Sequence, residues 1–104
     1  MAAKLKLCPD PTFKAYVQVP VPGAGTAPVQ FTFKHRSREQ VLAWLEEDKE
    51  SGDVETVKAV ALGWDLDDEF TDENIAKLCS NYAGAGFAIV QTYLDELRGA
   101  RAKN

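Results

Sequence analysis

The sequence predicts an α+β fold: an N-terminal antiparallel β-hairpin, with a third short strand as a candidate, followed by three to four α-helices. Two observations carry this. Apolar residues alternate with polar ones through the first third of the chain, the signature of half-buried strands. At Ser37 the spacing switches to that of helices, and helix-start residues recur at Ser37, Asp53 and Thr71. The expected organisation is a single domain over residues 1–104, with a hairpin region at 1–36 and a helical region at 37–104.

The first strand reads from Phe13. Phe13, Ala15, Val17, Val19 and Val21 share one face, and Lys14, Tyr16, Gln18 and Pro20 the other. The pattern resumes with Val29, Phe31 and Phe33 opposite Gln30, Thr32 and Lys34. Residues 20–28, PVPGAGTAP, are rich in Pro and Gly and read as a loop that gives the hairpin a long, mobile tip, of which Val21 to Pro28 could order on a partner or on a neighbouring subunit. Lys4-Leu5-Lys6-Leu7 is the candidate third strand, ended by Pro9 and Pro11.

Ser37-Arg38-Glu39-Gln40 is a capping box. Val41, Leu42, Trp44 and Leu45 then form an apolar helical face, and Gly52 ends the helix after the charged run EEDKES. A second helix, N-capped by Asp53, carries Val54, Val57, Val60 and Ala61, although its β-branched residues equally suit a strand from Val57 to Leu62. Residues 63–70 read as a loop, and Thr71 caps a helix faced by Ile75, Leu78, Cys79 and Tyr82, with Asp72 and Glu73 in its first turn. Gly84 and Gly86 mark a tight connection. The last helix runs from about Ala85 to Arg101, with Phe87, Val90, Leu94 and Leu97 as its stripe, widened by Ile89 and Tyr93.

Composition narrows the function classes. The chain has 104 residues, 45% hydrophobic and 27% charged, with a net charge of −4. That composition predicts a soluble, intracellular globular protein. An acidic pI near 4.9 makes nucleic acid an unlikely partner. No apolar run reaches the roughly 18 residues of a membrane helix, and the N-terminal MAAKLKLCPDP lacks the apolar core of a signal peptide. Two cysteines and one histidine fall short of the four ligands of a structural zinc site, so no structural zinc is expected.

Sequence motifs offer no catalytic site. An EF-hand started at Asp65 would place Phe70 and Ala76 where Gly and Glu are required; one started at Asp67 would place Asp72 and Leu78 there. Neither Gly23-Ala24-Gly25 nor Gly84-Ala85-Gly86 follows a strand into a helix with a third glycine, so neither cradles a phosphate. His35 has no nucleophile at a telling spacing. A deep polar pocket holding His35 with a carboxylate or thiol would be the mark of an enzyme. Trp44 and Trp64 read as core residues or as anchors for a partner.

Three blocks carry a resemblance. They are Pro11-Thr12-Phe13 leading into the first strand; Phe31-Thr32-Phe33-Lys34-His35-Arg36 running into a capped helix; and Gly63-Trp64-Asp65 followed by Glu69-Phe70-Thr71-Asp72-Glu73-Asn74-Ile75 and Tyr82. With the final helix ending Ala100-Arg101-Ala102-Lys103-Asn104, the chain resembles the tail assembly chaperones of tailed bacteriophages and prophages over nearly its whole length. The resemblance implies a non-catalytic, cofactor-free protein of the bacterial host cytoplasm. Its partner would be the long helical tape-measure protein, with the tail-tube protein as a further one, and it would be absent from the finished virion. Many such chaperones exist in two forms, the longer made by translational frameshift. The alternative is a structural tail component, a tail-completion or connector protein retained in the virion. Binding a helical client calls for an apolar groove with a polar rim. The candidate partner-binding residues are Trp44, Trp64, Phe70, Tyr82 and Leu94.

Charge is unevenly divided. Residues 1–38 hold six Lys/Arg against Asp10 alone, whereas residues 39–104 hold six Lys/Arg against fifteen acids. This split suggests self-association, hairpin against helices, that salt would loosen.

Overall fold

The structure, a computed structural model, describes residues 5–99. Its elements are β1 (Thr12–Val21), β2 (Gly25–Lys34), α1 (Arg38–Glu47), α2 (Asp53–Val60), β3 (Ala61–Trp64), α3 (Asp72–Asn81) and α4 (Ala85–Arg98). The strands form one antiparallel sheet in the order β1-β2-β3, so the fold is α+β with an N-terminal hairpin. As the alternation requires, Val17, Val19, Val29, Phe31 and Phe33 are buried beneath the helices, and Lys14, Tyr16 and Gln18 face outward.

The hairpin is longer and tighter than its composition implies. Pairing runs from Thr12↔Lys34 to Val21↔Gly25, so most of residues 20–28 is strand and not the expected mobile loop. The turn is Pro22-Gly23-Ala24. The Ala24 amide donates to the Val21 carbonyl at 2.9 Å, and Gly23 has φ 78°. Pro followed by a positive-φ Gly is the type II turn signature. Both prolines fit the ladder because of their parity. The Gln30 amide and carbonyl point away from β1, toward Asp65. Pro28 lies two residues earlier and Pro20 pairs with Thr26, so both occupy positions whose N–H would miss the β1–β2 ladder.

The third strand lies elsewhere than expected. Leu5–Leu7 form no strand and are exposed, and Lys4 lies outside the described residues. β3 supplies the third strand from within the helical region. Phe31↔Trp64, Thr32↔Gly63 and Phe33↔Ala61 pair, leaving Leu62 as the bulged residue. The run from Val57 to Leu62 therefore divides. Val57 and Val60 are buried one helical turn apart in α2, and the chain extends from Ala61 onward. The N-cap of α2 is Gly52, and Asp53 is its first residue.

The other helix starts stand where expected. The Gln40 amide donates to Ser37 Oγ at 3.2 Å and the Ser37 amide donates to Gln40 Oε1 at 2.8 Å, completing the capping box. Thr71 Oγ1 accepts from the Asn74 amide at 3.1 Å. The buried faces differ from the expected ones. In α1 only Trp44 is buried, and Leu42 is 60% exposed. In α4 the buried seam is Ala85, Ile89, Thr92 and Tyr93, whereas Phe87 is 75% exposed. α4 lies along β1 and contacts α2 on its flank. It ends at Gly99, whose φ of 68° suits glycine; Arg101 and Lys103 lie outside the described residues.

Candidate functional site

The sheet's inner face is graded in size. Its base carries Phe13, Phe31 and Phe33, which with Tyr93 and Trp44 form an aromatic cluster. Its tip carries only Val19, Val21, Ala27 and Val29. These small side chains leave a cleft of about 460 Å³ between the hairpin tip, the segment Trp64–Asp68 and α3. Val19, Val21, Ala27 and Val29 form one wall; Trp64, Leu66, Leu78 and Tyr82 form the other, with Asp68, Asn74, Lys77 and Asn81 as polar members.

Trp64 organises the second wall. Its ring meets Phe31 edge-on at 5.9 Å and Phe70 at 5.0 Å, geometries favoured by the aromatic quadrupole. Its Nε1–H donates to the Asp68 carbonyl at 2.7 Å. Asn74 Nδ2 donates to the Glu69 carbonyl at 2.8 Å. The acidic segment between β3 and α3 is thus tied at both ends. Asp65 is tied too: its amide and carboxylate each bond Gln30 at 3.0 Å.

Of the five candidate residues, the structure brings Trp64 and Tyr82 together on the cleft, with Phe70 packed behind Trp64. It puts Trp44 in the core, 7% exposed, and Leu94 against the core outside the cleft. Trp44 is buried because Arg36 stacks on its ring at 5.1 Å and Tyr93 meets it edge-on at 5.9 Å; its Nε1 has no hydrogen-bond partner among the described residues. Sequence reasoning missed Leu66 and the tip valines as cleft residues. The available signal was the step from Phe to Val and Ala along the hairpin's apolar face.

His35 lines a second cleft of about 390 Å³, more open than the first, with the carboxylates of Asp10 and Glu96 beside Thr12 and Lys14 and with Phe13 and Leu97 as apolar members. Among the described residues, no group of three or more His, Cys, Asp or Glu is placed to hold a metal. No described helix is long and apolar enough to cross a membrane.

Among the described residues, burial shifts the proton affinity of two groups. Burial pushes the Cys79 thiol up, with the Asp53 carboxylate adding to the rise. Burial also pushes the Tyr93 phenol up, against the opposing pull of Arg36, whose Nη1 donates to the phenolic oxygen at 3.0 Å. Both shifts favour the neutral folded form. Their stabilising contribution is complete below the unfolded values, about 8.5 and 10, and is lost as pH rises through the higher folded ones. Urea midpoints are therefore expected to fall from about pH 9 upward. A midpoint unchanged up to pH 11 would contradict both shifts.

A family model described as phage tail assembly chaperone matches residues 1–104, the whole chain. No curated protein and no solved structure matches it.

Proposed function

The chain belongs to the phage tail assembly chaperone family, and from that premise we propose that it binds the tape-measure protein in the host cytoplasm and supports tail-tube assembly around it, without catalysis. The apolar cleft between the hairpin tip and α3 carries this reading. A long helical client exposes apolar stripes that would otherwise associate with one another. A cleft with Val, Leu, Trp and Tyr walls and an Asn, Lys and Asp rim accepts such a stripe while leaving the polar side of the helix in water. Binding there competes with aggregation and is reversible, as transfer to the tube requires.

Leu66 and Tyr82 are 37% and 36% exposed, so changing them alters the cleft and spares the core. Co-expression with the tape-measure product is expected to keep that client in the soluble fraction and to co-purify the two. Leu66→Asp combined with Tyr82→Ala is expected to lower recovery about tenfold or more, as loss of one central anchor pair does, with the variant's thermal midpoint close to the parent's. Equal recovery by the variant would remove the cleft from the reading. Stoichiometric presence of the chain in purified virions would favour a retained structural component.

A further inference from the structure

The two chain segments that flank the cleft differ in charge. From Ala15 to Phe33 the hairpin has no charged residue. The segment that supplies Leu66 and Asp68 to the other wall, residues 65–73, holds Asp65, Asp67, Asp68, Glu69, Asp72 and Glu73 and no cation; Asp68 lies on the cleft lining and the others beside it in the chain. Two of these acids are already engaged. Asp65 binds the Gln30 amide, and Asp72 pairs with Lys58 at 2.8 Å. Asp67, Asp68, Glu69 and Glu73 are exposed, and among the described residues their carboxylates have no partner. Lys77 is the single cation on the cleft lining. The bonds from Trp64 Nε1 to the Asp68 carbonyl and from Asn74 Nδ2 to the Glu69 carbonyl fix the backbone that carries these acids, so a ligand need not order the segment itself.

We propose that the segment this cleft receives is an amphipathic helix with Lys or Arg beside its apolar stripe. The proposal rests on the cleft reading above and adds the chemistry of the occupant. The apolar stripe lies between the uncharged hairpin tip and the Trp64–Tyr82 wall, and the basic flank faces the acids of the 65–73 segment. A helix with an acidic flank would meet the same apolar walls and be repelled by the rim. Charge therefore selects which stretch of a long helical partner is held and which way it runs.

Two synthetic peptides of roughly 20 residues, long enough to become helical on binding, test this. They share one Leu/Ile stripe and differ only in flanks of Lys or Glu. Fluorescence anisotropy with the full chain is expected to favour the Lys peptide about tenfold, the sum of several exposed charge pairs. Raising salt from about 0.1 to 1 M shortens the screening length from about 10 to 3 Å and should erase most of that preference. The variant Asp67→Asn, Asp68→Asn, Glu69→Gln should bind both peptides alike and melt like the parent. Equal binding of the two peptides by the parent chain would overturn the charge proposal and leave the cleft reading standing. Binding of neither would overturn both. A salt-sensitive dimer of the chain alone, abolished by the same variant, would assign the acidic rim to a second copy and overturn the proposal.

Discussion

Tyr93→Ala is expected to remove about half of the protein's stability. Tyr93 is fully buried, and its ring centroid lies 6.2 Å from Phe13, 5.4 Å from Phe33 and 5.9 Å from Trp44. It joins α4 to the hairpin base and to α1. Truncating a buried aromatic costs about 3–5 kcal/mol, against a total stability of about 5–15 kcal/mol for a domain of this size. The loss also removes one face of the packing around Trp44, the only buried residue of α1, so α1 should detach. Arg36 would keep its stacking on Trp44 but lose the Tyr93 oxygen. Urea unfolding should show a midpoint lowered by about half. Tyr93→Phe retains the ring and removes one hydrogen bond, for a cost of about 1 kcal/mol. Equal costs for the two variants would mean that the Arg36 bond outweighs ring packing.

Trp64→Ala is expected to lose both stability and client binding. Trp64 is half-buried, packs edge-on against Phe31 and Phe70 and ties the acidic segment through Asp68. Two aromatic pairs, the lost area and one hydrogen bond together amount to about 2–4 kcal/mol. The cleft would lose the centre of one wall, and client recovery should fall at least about tenfold even where the variant is fully folded. Trp64→Phe separates the contributions: it keeps most of the packing but frees the segment after β3. Its stability should lie near the parent's, with a smaller binding loss. Undiminished recovery by a folded Trp64→Ala variant would exclude this wall from the interface.

Much of the hairpin was legible because strand alternation is local. Val17, Val29, Phe31 and Phe33 face inward as their parity requires. The tip is not legible in the same way, because Pro and Gly usually end strands, whereas the cost of a strand proline depends on the direction its nitrogen faces, a property of register. The candidate residues were partly legible for a similar reason. Trp44 and Trp64 are both aromatic residues beside apolar neighbours, and nothing local shows that Arg36 and Tyr93 enclose one of them while the other borders a cleft.

The amino-acid order alone establishes the period of each element, the helix starts at Ser37 and Thr71, and the division into a basic hairpin region and an acidic helical one. These depend on residues within a few positions of one another, through side-chain parity, capping hydrogen bonds and composition. Packing alone decided the phase of the helices. α4 carries apolar residues on most of its circumference, so its buried seam became Ala85, Ile89 and Tyr93 only once β1 lay against it. Packing also drew the third strand out of the Val57–Leu62 run, because β2 offered an open edge to which Ala61–Trp64 could bond. The cleft belongs to the same class. It exists where small side chains on one strand pair fall opposite α3 and the segment after β3, a meeting of residues roughly fifty positions apart that local periodicity does not encode.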